Sequence, residues 1–184
     1  RARAQLQPGG SLLARPNWNV AMTTDCIDQL LLEGVHKLYY TEQQLVDALE
    51  TLSEETGVQS VSEAFAQHRA ETQTQVTRLE QVFEAMGEEP EAREDIVVTA
   101  MIDEHTQFSA ENDGEILDRY NMAVGQKTEH YEIAAYGNLA SLAEKAGHDE
   151  AADLLVETLR EEQDALDQLT EVSERFDEQQ IASD

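Results

Sequence analysis

Residues 36–86 slide onto residues 126–176 at a constant offset of 90 without a gap, and eleven aligned pairs are identical. They include Lys37/Lys127, Glu42/Glu132, Leu49/Leu139, Leu52/Leu142, Gly57/Gly147, Glu71/Glu161, Leu79/Leu169 and Val82/Val172. Apolar, acidic and glycine positions all recur, so shared acidity does not account for the match. One supersecondary unit is used twice, and whatever it folds into must pack against its own copy.

That unit is a helical hairpin. Ile27, Leu31, Val35, Leu38, Leu45, Leu49 and Leu52 recur at helical spacing from Asp25 onward, and Gly57 stands where a C-terminal cap would. "SVSE" at 60–63 has capping-box form, and a second helix runs through Val61, Phe65, Val76, Leu79 and Phe83 to Gly87. Pro90 blocks continuation. A shorter apolar segment at about 92–108 follows, and "ENDG" at 111–114 breaks it. The third helix is expected from about Glu115 to Lys145 with Gly147 as its cap. The fourth starts at Asp149 and passes through Leu155, Leu159, Leu166, Leu169 and Val172 to a polar, fraying tail after Phe176. No stretch alternates with the period of a strand, so the expected class is all-α. The 27 residues from Glu88 to Gly114 are too many for a tight turn; they suit a crossover along a four-helix bundle.

Twelve basic against 39 acidic residues give a formal net charge of −27, which argues against nucleic acid or an anionic membrane as partner. The longest apolar run, "IVVTAMI", is too short to cross a bilayer. Lysine occurs only at 37, 127 and 145. So acidic and lysine-poor a chain points to a salt-loving cell, where molar salt shortens the Debye length to about 3 Å and screens the self-repulsion. A single cysteine, Cys26, fits a reducing compartment, the cytoplasm. Residues 1–21 carry three arginines and no acid. They are expected to be a disordered or added extension before a natural start at Met22, followed by a bundle over 22–176 and a tail over 177–184.

Glu42 lies 15 residues before Gly57 and Glu71 lies 14 after it. At 1.5 Å per residue both sit about 21–22 Å from the turn. Glu132 and Glu161 repeat this around Gly147, so each of four helices brings one carboxylate to a single mid-bundle layer. Glu42 and Glu132 fall in the apolar phase of their helices, and His68 lies three residues after Phe65 with Glu71 one turn further. On the fourth helix Glu161 and Glu162 straddle the inward face, and Glu162 has the better phase to Leu155, Leu166 and Leu169. In an up-down-down-up bundle, His68 and Glu129 project to the same end of this layer. Buried carboxylates cost several kcal/mol each without compensation, which two divalent cations would supply. Oxygen-rich donors with one imidazole suit iron or manganese better than zinc.

"LYYTEQQLVDAL", "HRAETQTQVTRLEQVFEAMGEEP", "KTEHYEIAAYGNLASLAEKAGHDEAADLL" and "ETLREEQDAL" together resemble the YciF-like branch of the ferritin-like superfamily, over nearly all of 25–172. The resemblance implies a ferritin-like four-helix bundle, a rubrerythrin-like two-metal site, a homodimer and a part in stress responses. It also implies Glu42, His68, Glu71, Glu129, Glu132 and one of Glu161 and Glu162 as ligands of two iron (alternatively manganese) ions. The chain departs from the wider superfamily, which carries Glu-x-x-His on two helices. Here the second helix reads His-x-x-Glu, and the fourth offers "EEQD" with no histidine.

Two functions remain in view: Fe(II) oxidation by oxygen or peroxide in stress, and a metal-stabilised structural or interaction protein without catalysis. His130 is expected beside the site or at the surface, His36 and His105 as ordinary residues, and His148 as exposed. Tyr39, Tyr131 and Tyr136 lie near the layer, as packing or as hydrogen-bond donors to a ligand carboxylate. No nucleophile triad, phosphate loop or cysteine-based zinc motif is present.

Overall fold

The apolar stripes wind into five helices in the computed structural model, which describes residues 24–183. They are α1 (Thr24–Glu55), α2 (Gln59–Met86), α3 (Ile96–Ser109), α4 (Gly114–Ala146) and α5 (Asp149–Ser183). The arginine-bearing segment 1–21 and the expected start at Met22 lie outside the described residues. No strand occurs among the described residues.

The helix ends show how local chemistry sets the hairpins. Gly87 and Gly147 adopt φ of 75° and 85°, where a side chain would be strained. At each, the glycine N–H and the next N–H return to the last carbonyls: Glu88 to Phe83 at 2.9 Å and His148 to Ala143 at 2.9 Å. Gly57, the repeat partner of Gly147, does not behave this way. Its φ is not positive; its N–H donates to Asp118 Oδ1 at 2.7 Å, tying the first turn to the start of α4. Nor does "SVSE" cap α2, which already begins at Gln59 after Val58. Ser62 lies inside the helix and donates instead to the Ser53 carbonyl at 2.7 Å. At the far end α5 continues as helix past Phe176 to Ser183.

α1 packs on α2 and α4, and α5 on α4 and α2, making a closed four-helix bundle. The α1–α2 turn meets the start of α4 through Gly57 and Asp118. The α4–α5 turn meets the start of α1 through His148 and Asp28, 3.1 Å apart. The turns are therefore at opposite ends and the order is up-down-down-up. The crossover carries α3 back along α1 and α4. It is held by Arg93 N–H to the His36 carbonyl at 3.1 Å, Tyr40 to Thr99 at 3.1 Å, and His105 to Asn121 at 2.9 Å.

The core is in two pieces. One holds Leu31, Val35, Leu38, Leu79, Phe83, Leu139 and Leu155. The other holds Leu45, Leu49, Leu52, Phe65, Met122, Leu169 and Val172. On every long helix the chain passes from one cluster to the other through buried polar residues: Glu42 on α1, His68 and Thr72 on α2, Glu129 and Glu132 on α4, Glu162 on α5. A slab rich in carboxylates lies between the two apolar clusters.

Candidate metal centre

Helical phase aims these side chains inward. Glu42 is one turn from Leu38, Glu132 one turn from Tyr136, and Glu162 two turns from both Leu155 and Leu169. Glu42 and Glu162 are 0% exposed, Glu132 1% and Glu129 3%. His68 Nε2 lies 3.2 Å from Glu129 Oε1 and 3.6 Å from Glu162 Oε2, while its Nδ1 is 3.7 Å from Glu71 Oε2. One donor atom from each of His68, Glu129, Glu132 and Glu162 lies within 4.8 Å of the other three. Glu42 adjoins this group: its charge raises the Glu132 carboxyl, and its Oε1 accepts from the Tyr136 hydroxyl.

Burial dominates the electrostatics. It pushes Glu42 up to about 7 against the opposing pull of the Tyr136 hydrogen bond, and Glu162 up to about 10, with Glu42 and Glu129 adding repulsion. Glu132 is raised well above the carboxylate range by burial and by Glu42, Glu162 and Glu129. Burial, the largest single effect, pulls His68 down, but Glu129, Glu71 and Glu162 together outweigh it and leave the imidazole well above its ordinary value.

Of nine buried side-chain polar atoms without a hydrogen-bond partner among the described residues, seven belong to this cluster: Glu42 Oε2, His68 Nδ1, Glu129 Oε2 and both oxygens of Glu132 and Glu162. Such orphaned acceptors cost about 1–3 kcal/mol each, more when charged. The six carboxylate oxygens among them are the atoms a cation would satisfy. Bonds of about 2.0–2.2 Å to a small divalent ion let opposite donors stand about 4 Å apart, so the 4.8 Å group needs only a small inward adjustment.

The repeat picked the layer but not every residue in it. Glu71 and Glu161 are equivalent and both sit at the edge, with side chains 38% and 33% exposed. The inward equivalents are Thr72, 1% exposed, and Glu162. Glu161 is held outward by Arg78, whose Nη1 and Nη2 reach its two oxygens at 2.6 and 2.8 Å, with Gln75 adding a bond at 3.1 Å. The better apolar phase of Glu162 is the sequence signal for its burial.

Around the site, His130 is exposed, as one of its two expected places. His36 and His105 are buried and hydrogen-bonded, to the Glu91 carbonyl at 2.6 Å and to Asn121 at 2.9 Å. His148 is half-buried against Asp28, a contact between residues 120 apart that its place beside a helix start does not reveal. Of the three tyrosines only Tyr136 meets a cluster carboxylate. Tyr39 donates to Glu80 at 2.9 Å and Tyr131 to Asp95.

A family profile described as a domain of unknown function, DUF892, matches residues 27–182. The chain is 35% identical over 154 residues to Protein YciF of Escherichia coli K12, covering 83% of this chain and 93% of that one. The crystal structure of the E. coli stress protein YciF superposes with a TM-score of 0.77 at 33% identity, over 82% of this chain and 96% of that one. A Rhodopseudomonas palustris protein described as a putative structural protein gives 0.77 at 34% identity, over 84% and 96%. A Xanthomonas campestris protein at 19% identity and a TM-score of 0.68, over 84% and 98%, shares the fold.

Proposed function

The chain belongs to the DUF892 family, and from that premise we propose that its buried layer binds two divalent iron or manganese ions and serves a cytoplasmic stress response. Seven orphaned polar atoms gathered in one buried layer are the observation that carries this reading. The balance of charge supports it: Glu42, Glu129, Glu132 and Glu162, once metal has displaced their protons, would carry −4, which two divalent ions neutralise. His68, Glu129, Glu132 and Glu162 would hold one ion, and Glu42, facing Glu132, extends the donor set to a second. Glu71 stands at the edge beside His68 Nδ1, placed to close the site.

When bound, such a pair would supply one-electron redox chemistry, Fe(II) giving electrons to oxygen or peroxide. The chain's own part is to exclude water and hold the donors. Tyr136 orients Glu42, Arg78 keeps Glu161 out of the layer, and the two apolar clusters seal it above and below. Among the described residues no helix is long and apolar enough to cross a membrane. The family resemblance adds a homodimer, to be checked by sedimentation in high salt.

A second reading, a metal-stabilised structural protein without turnover, is favoured by the single imidazole in the donor set. The R. palustris relative described as a putative structural protein agrees with it. Elemental analysis of protein purified in high salt without added metal or chelator tests the site. About two iron or manganese per chain, lost in a Glu42→Gln, Glu132→Gln double variant, is expected. Metal well below one per chain, with none taken up on soaking, overturns it. Anaerobic loading with Fe(II) then separates the readings: oxidation no faster than that of free Fe(II) leaves the structural one.

A further inference from the structure

The polar layer has two unlike flanks. Between α2 and α5 a small opening of about 20 Å³ is bordered by Gln67, Glu71 and Gln168 together with Phe65 and Leu169, and touches His68 and Glu129. Between α1, α3 and α4 a larger cavity of about 80 Å³ reaches His68, Glu129 and Glu132. Its walls include Leu45, Leu49, Leu52, Val98, Met101 and Ile102, with the exposed Thr51 and Thr106 at the rim.

The two flanks select different visitors. A cation leaving water among leucines and valines gains nothing in return for its hydration, whereas Glu71 and the glutamine amides offer it oxygen. An uncharged apolar molecule gains about 25 cal/mol per Å² of apolar wall it covers, and the larger cavity offers far more such wall than the small opening, where Phe65 and Leu169 share the lining with polar groups. Interiors otherwise pack at the density of organic crystals, so a hollow of this kind beside unpartnered buried oxygens is a structural feature to be explained. Size narrows the class. An engineered apolar cavity of about 150 Å³ takes up benzene; 80 Å³ is roughly half of that and suits a diatomic gas or a stretch of two or three carbons.

We infer that this cavity is a binding site for a small uncharged apolar molecule, held against the Glu129–Glu132 edge of the layer. Its meaning as a substrate site rests on the two-metal reading above; its affinity comes from α1, α3 and α4 alone. Crossover helix α3 is then more than a connection, since Val98, Met101 and Ile102 form the outer wall.

Crystals of the full chain pressurised with xenon test this, with and without Mn(II). A single xenon site among Leu49, Val98 and Thr128 is expected. It should be lost in Ala48→Leu, which fills the cavity, and kept in Gln168→Leu, which alters the other flank. Leu49→Ala enlarges the hollow and should admit benzene, seen as local NMR shifts, where the wild type does not. This second variant answers the question if Ala48→Leu fails to fold. Xenon absent from the wild type, bound elsewhere, or unaffected by Ala48→Leu overturns the inference, as does failure of Leu49→Ala to take up benzene. Octanoate distinguishes the sources: displacement of xenon identifies the alkyl end of an amphiphile, and its persistence identifies a gas-sized molecule. Xenon bound with no metal uptake leaves the cavity and removes the two-metal reading. Metal bound with no xenon does the reverse.

Discussion

Tyr136 on α4 donates its hydroxyl hydrogen to Oε1 of Glu42 on α1, 94 residues earlier in the chain, and both side chains are 0% exposed. The bond leaves Glu42 Oε2 as the oxygen free to take another partner. Tyr136→Phe removes that donor and strands Glu42 entirely. A loss of about 1–3 kcal/mol in urea unfolding of the metal-free protein is expected, with metal uptake moved to higher pH because the carboxyl becomes harder to ionise. An unfolding midpoint equal to that of the wild type would show that the hydrogen bond contributes nothing.

Glu161 and Glu162 adjoin in sequence and differ in role, so their glutamine variants should part company. Glu161→Gln breaks the pairing with Arg78. With Glu161 a third exposed, the cost should be about 1–2 kcal/mol, below that of a fully buried pair, and metal content should not change. Glu162→Gln swaps a carboxyl that burial already keeps neutral, so the metal-free protein should hold its stability while metal affinity falls roughly tenfold or more. Isothermal titration with Mn(II) beside thermal melts reads both. The opposite pattern would make Glu161 the ligand.

The layer also sets a pH dependence. Glu42 is raised to about 7 and Glu162 to about 10 in the folded protein, against about 4.3 in the unfolded chain. The folded state therefore binds more protons. The stability these groups lend is complete below about pH 4.3, and is lost as pH rises through 7 for Glu42 and on toward 10 for Glu162. His68, raised above its ordinary value, acts in the same direction. Calorimetry of the metal-free protein should show the melting temperature falling from pH 5 to pH 9. With saturating Mn(II) the fall should flatten, because the ions replace the protons. A metal-free melting temperature that climbs over this interval contradicts the buried-carboxyl account.

Asp95 caps α3, accepting from the Val97 N–H at 2.9 Å and from the Tyr131 hydroxyl. Asp95→Ala should cost about 1–2 kcal/mol. Amide exchange should quicken along α3 while the core amides of α1 and α4 keep their protection. Uniform quickening across the molecule would instead show that α3 unfolds only with the whole bundle.

Much of this arrangement was legible in the chain because it is written locally. Apolar spacing marks each helix, and the loop lengths fix two hairpins and a crossover. Gly87 and Gly147 end their helices by a backbone conformation that glycine alone adopts cheaply. Gly57 carried the same local sign and was put to another use, because its partner, Asp118, lies 61 residues away. "SVSE" failed as a cap for a related reason: Ser62 found the Ser53 carbonyl across the turn.

The sequence by itself determined the all-α class, the up-and-down hairpins and the level at which carboxylates gather, since rise per residue and helical phase depend on neighbours along the chain. Only the tertiary structure decided what holds Glu71 and Glu161 at the edge of the layer. Glu71 and Glu161 match each other in the repeat, yet Arg78 draws Glu161 outward and leaves Glu162 buried. Tyr136, Glu42 and the cavity under α3 meet only when four helices close. Burial and side-chain partners belong to packed neighbours that no local pattern specifies. Helical phase already favoured Glu162 as the inward glutamate, and an arginine more than 80 residues away holds the other at the edge.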